Sequence, residues 1–162
     1  MASYGLPKDQ KVLAAIGAIS LRQGQLDNAM KMLVMTLANV TWEEALDATS
    51  MHVGRDLRER VRKLAKQRIG EGPALVQLDA LLQRARIATD ERNEIVHSFW
   101  GMEKKWAVIR DRHHTYKRAP SLRQLETLAD DLASIRLEIT SARQSGFIFE
   151  ALERRSAASP AE

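Results

Sequence analysis

The 162-residue chain contains no cysteine, which excludes disulfides, thiolate metal sites and thiol nucleophiles together. That absence is compatible with a reducing compartment, and a cytoplasmic location is expected. Only 8 glycines and 4 prolines interrupt the chain. No charge-free stretch approaches the roughly 18 apolar residues that a membrane-spanning helix needs, so no membrane association is expected. The opening MASYGLPKDQ has no basic cluster feeding an apolar run and does not read as a secretory signal. No internal repeat, low-complexity tract or interdomain linker stands out. With 44% hydrophobic residues, the chain can furnish one substantial core. A single domain over residues 1–155 is expected, followed by a frayed tail over 156–162.

Charge is nearly balanced overall, at +4, but unevenly distributed. Residues 55–68 carry seven basic and two acidic groups, and residues 104–118 carry six and one. Two basic patches on an otherwise acidic chain suit a polyanionic partner, although a charged face can simply be solvated. Within the first patch Arg55, Arg58, Arg62 and Lys66 align at helical spacing, a geometry able to follow a phosphate backbone.

Apolar spacing predicts an all-α protein: an antiparallel bundle of four main helices joined by short connections. The first helix is expected over about 7–40, with Pro7 in its first turn. Val12, Ile16, Ile19, Leu26, Met30, Leu33, Leu37 and Val40 would trace its buried face. Gly17 and Gly24 weaken that helix and are read as allowing close approach of a neighbouring helix. Thr41-Trp42-Glu43-Glu44 has the form of a capping box and should start a short helix. A third helix is expected over 55–69, with Leu57, Val61 and Leu64 inward. Ser121 and Gln124 form a second capping box, opening a helix whose stripe runs Leu122, Leu125, Leu128, Leu132, Ile135, Ile139 and Ala142, with Gly146 as its stop. Between 105 and 118 alternation replaces the three-four rhythm, predicting a small β-hairpin around Asp111 to His114. His113 and His114, adjacent on a strand, would face opposite ways and make a poor metal pair. No cofactor is implied.

The remaining stretch, Pro73 to Gly101, organises the rest. Leu75, Leu78, Leu82, Ala85, Val96 and Phe99 recur at steps of three and four, with one gap. Continuing the face through that gap passes Thr89 and Arg92, so a guanidinium sits where a core residue is due and requires an anion, an acidic neighbour or water. Five residues later comes His97, then Phe99, Trp100 and Gly101. The run Arg92-Asn93-Glu94-Ile95-Val96-His97, with Trp-Gly just beyond, resembles the HEPN family of all-helical domains, many of them metal-independent endoribonucleases built round an R-x4-6-H motif. Ser98 departs from the small glycine often found after the family's histidine.

The resemblance implies a toxin or defence nuclease that acts as a homodimer with its motifs facing. It also implies RNA as substrate, a product ending in a 2′,3′-cyclic phosphate, and a neutralising antitoxin or nucleotidyltransferase partner. The residues suit such chemistry: a histidine near neutrality can take a proton from the 2′-hydroxyl, and an arginine fork can hold two phosphate oxygens. His97 would be the base and Arg92 the clamp. Asn93 would orient His97 or touch the phosphate, and Asp90 or Glu94 would steady Arg92. On a straight helix, five residues turn Arg92 and His97 about 140° apart. Either the helix breaks locally or two subunits complete the site. The alternatives are a structural ion pair for Arg92 with a rim histidine, or a non-catalytic helical module binding nucleic acid, nucleotide or a partner protein.

Overall fold

The structure is a computed structural model that describes residues 3–5, 7–103, 106–110 and 116–158. Its fold class is all-α, a helical bundle with a small antiparallel sheet. The helices are α1 (Gln10–Ala38), α2 (Trp42–Thr49), α3 (Gly54–Ile69), α4 (Pro73–His97), α5 (Leu122–Gln144) and α6 (Phe147–Ala158). The strands are β1 (Ser3–Tyr4), β2 (Phe99–Glu103), β3 (Trp106–Arg110) and β4 (Tyr116–Arg118), in the order β1-β2-β3-β4 with every neighbour antiparallel.

Local chemistry explains most helix ends. Pro7 lies before α1, not in its first turn. The start is set instead by Asp9, whose carboxylate accepts from the Lys11 amide at 2.8 Å. At the other end Asn39 takes φ 56°, while Asn39 N donates to Thr36 O and Val40 N to Met35 O. These are the two hydrogen bonds of a Schellman stop. The Thr41–Glu44 box forms in both directions at the head of α2. The Ser121–Gln124 box does the same for α5.

The chain divides into two compact units, residues 1–24 with 87–133 and residues 25–86 with 134–162. In the first, Ile19 of α1, Ile95 of α4, Ile109 of β3 and Leu125 and Leu132 of α5 are buried. In the second, Leu26, Leu33 and Leu37 of α1, Leu57 and Val61 of α3, Leu78 of α4, Ile139 of α5 and Ile148 of α6 are almost fully buried. Each such side chain contributes about 1.5–3 kcal/mol of apolar burial. Also in the second unit, Arg155 of α6 donates to the carbonyls of Gln67 and Arg68, satisfying the open C-terminus of α3. It packs 3.1 Å from where a Cβ on Gly70 would lie, and Gly70 itself has φ 75°.

Several expectations change. Ala65 rather than Leu64 completes the buried stripe of α3. No atom lies within 4 Å of a Cβ built on Gly17 or Gly24, so neither glycine accommodates a neighbouring helix among the described residues. The hairpin is part of a four-stranded sheet, and its turn, with His113 and His114, lies outside the described residues. Ser156 to Ala158 continue α6 into the stretch expected to fray.

Candidate functional site

Helix α4 opens with Pro73, whose missing amide proton costs nothing in a first turn, and it runs unbroken to His97. Its buried face begins as expected with Leu75, Leu78, Leu82 and Ala85. The gap in the pattern is then filled by Ala88, Thr89 and Ile95, all buried. Thr89 is accommodated because its hydroxyl donates to Gln23 Oε1 at 3.2 Å, which satisfies a buried polar group. Ile95, not Val96, takes the next core position.

The helix ends two residues short of Phe99. Trp100 Nε1 donates to the Ile95 carbonyl at 2.9 Å, one of the last-turn acceptors that no helical amide can reach. Beyond that end Phe99 to Glu103 form a strand, and Phe99 lies 57% exposed instead of on the apolar helix face. Trp100 is half-buried.

Arg92 lies at the border of the buried face, between Ala88 and Ile95, and is half-buried. Its Nη1 donates to Asn93 Oδ1 at 2.9 Å, and its Nε is buried with no hydrogen-bond partner among the described residues. Asn93 therefore steadies Arg92, the role expected of Asp90 or Glu94. Glu94 is engaged elsewhere, accepting from Lys117 Nζ of β4 at 2.6 Å. Asp90 is exposed. His97 is exposed at the end of α4, four residues from Asn93 and thus on its side of the helix. Beside them, burial and then the carboxylates of Asp131 and Glu94 push the Glu91 carboxyl above the usual carboxylate range.

The basic face of α3 is largely neutralised within its own unit. Arg55 lies 3.5 Å from Glu59, and Lys66 lies 2.6 Å from Glu71. Arg62 forms a two-pronged bond to Asp79 at 2.8 and 3.0 Å, and that bond raises its already high pKa. Arg58 is half-buried. The face still lines a shallow groove of about 580 Å³ with Glu59, Arg62, Lys63, Lys66 and Gln67.

Periodicity could not reveal the surroundings of His97 on the sheet. Lys117 of β4 reaches Glu94 of α4, and strand pairing sets Arg110 opposite Phe99 and Tyr116 opposite Arg110; the advance signal was the run of cations over 104–118. No family model, no curated protein and no solved structure matches the chain.

Proposed function

We propose that this chain is a HEPN-like, metal-independent endoribonuclease that works as a homodimer, with His97 as general base and Arg92 as phosphate clamp. The observation supporting this reading is the state of Arg92: a half-buried guanidinium with no carboxylate in ion-pair range among the described residues. A merely structural arginine at that position is held by an acidic neighbour or by water, because an uncompensated charge at a core border is costly, and no acidic neighbour among the described residues holds this one. Here its bond goes to the neutral Asn93, which aims the fork and leaves its positive charge for an anion.

In the proposed reaction His97 removes the proton of a ribose 2′-hydroxyl. The freed oxygen attacks the adjacent phosphorus, and the 5′ oxygen leaves with a proton from a second imidazole or from water. The products end in a 2′,3′-cyclic phosphate and a 5′-hydroxyl. Arg92 stabilises the charge that develops on the equatorial oxygens. Because α4 is unbroken to His97, the pair stay about 140° apart on one helix. A second copy across a twofold axis supplies the missing half of each site.

Incubation of the full chain with RNA in EDTA tests this. Cleavage with cyclic-phosphate ends is expected, and His97→Ala and Arg92→Ala should each slow it by about 10²-fold or more while remaining folded. RNA left intact by the wild type, with Arg92→Ala melting at a lower temperature, would overturn the reading and leave a non-catalytic helical module.

A further inference from the structure

Strand register assembles three side chains that sequence spacing does not connect. β2 and β3 pair Phe99 with Arg110, and β3 and β4 pair Arg110 with Tyr116. Directly opposed residues of an antiparallel sheet project from the same face. The outcome is a row of aromatic, guanidinium, aromatic. Phe99 and Tyr116 are 57% and 50% exposed, and the Arg110 guanidinium carbon lies 5.0 Å from the centroid of the Phe99 ring. Arg118, two residues beyond Tyr116 and exposed, extends the same face. The adjoining row projects from the opposite face: Trp100 bonds the Ile95 carbonyl, Ile109 is buried and Lys117 holds Glu94.

A single exposed aromatic needs no explanation, but two flanking a cation in one row match a particular ligand. Bases stack on aromatic rings and guanidinium planes, while the cation draws the phosphates between them. The six basic groups and one acidic group of 104–118 favour a polyanion over an apolar protein surface. A duplex keeps its base faces stacked inside, so only a single strand can offer them. The row also begins two residues after His97, a distance of at most about 7 Å along the chain.

We propose that Phe99, Arg110 and Tyr116 form a stacking platform for single-stranded RNA, holding a base next to the phosphate presented to His97. The identity of the ligand rests on the nuclease reading above; the platform's geometry does not.

The test uses the full chain carrying His97→Ala, so that RNA is bound without being cut. The probe is a single-stranded RNA oligomer with one 2-aminopurine flanked by uridines, compared with the same strand in a duplex. Binding should quench the 2-aminopurine, and the duplex should bind more weakly. Phe99→Ala and Tyr116→Ala should each weaken single-strand binding by about 5- to 150-fold, whereas Phe99→Tyr and Tyr116→Phe retain it. Arg110→Gln should reduce the salt slope of log affinity by about 1. Unchanged affinity in both alanine variants, equal binding of the duplex, or an effect on self-association alone would overturn the platform. Wild-type protein that binds and quenches the probe yet leaves it uncut would support the platform and remove the nuclease reading. Unaltered cutting and KM in Phe99→Ala would do the opposite.

Discussion

Among the described residues, two carboxylates titrate away from their ordinary range, in opposite directions. Glu91 is raised by burial and by the nearby Asp131 and Glu94, so the folded state holds its proton more tightly than the unfolded chain does. Stability therefore falls as pH rises from the unfolded value, about 4.3, through the folded one. Glu91→Gln should raise the melting temperature at pH 7, with the gain fading below about pH 4; a gain that persists in acid would assign the effect to something other than charge. Glu138 is lowered, first by the hydrogen bond from Arg84 and also by Ser134, against the opposing effect of burial. Its contribution is present above about pH 4.3 and is lost as pH falls through the folded value. Glu138→Gln should lower the melting temperature at pH 7 but not in strong acid. The pair is largely exposed, so the loss should be small. A melting temperature equally depressed at both pH values would count against the Arg84 bond as its source.

At the scale of elements, α1 carries two glycines that no packing within the described chain requires. Gly17 and Gly24 are exposed mid-helix positions with open space at the Cβ, where alanine is favoured by about 1 kcal/mol. Gly17→Ala and Gly24→Ala should each raise the thermal midpoint by about 2–4 °C. A loss of stability instead, accompanied by weaker self-association, would mean that another chain packs against this side of α1. Helix α4 shows how one side chain decides where an element stops. The apolar rhythm runs on to Phe99, yet the Trp100 indole reaches the Ile95 carbonyl, and the chain passes into β2 from Phe99. Periodicity alone reads Phe99 as core because it cannot register a hydrogen bond that reaches back over a turn.

For the molecule as a whole, the proposed nuclease reading together with the unbroken helix between Arg92 and His97 calls for a homodimer, and light scattering at micromolar concentration checks it. A strict monomer that still cuts RNA would require one protomer to present both residues, against their separation of about 140° round the helix. Spacing and composition alone place helices α1 to α5, the caps at Thr41 and Ser121 and the buried stripe of α5, whereas the stop after Ala38 and helix α6 emerge only in the folded chain. Each of the former depends on contacts within about four residues and is therefore written locally. The sequence also marked Arg92 and His97, since a charge interrupting an apolar face is visible in spacing alone. It took the folded chain to show that Asn93 rather than an acid holds Arg92, that Asp79 and Glu71 pair with Arg62 and Lys66 of α3, that Arg155 closes the end of α3, and that Phe99, Arg110 and Tyr116 share a row. Apart from the first and the Lys66–Glu71 pair, which spans only the turn after α3, these pairings join residues distant along the chain or depend on strand register, and no local periodicity encodes which partner folding will bring within reach.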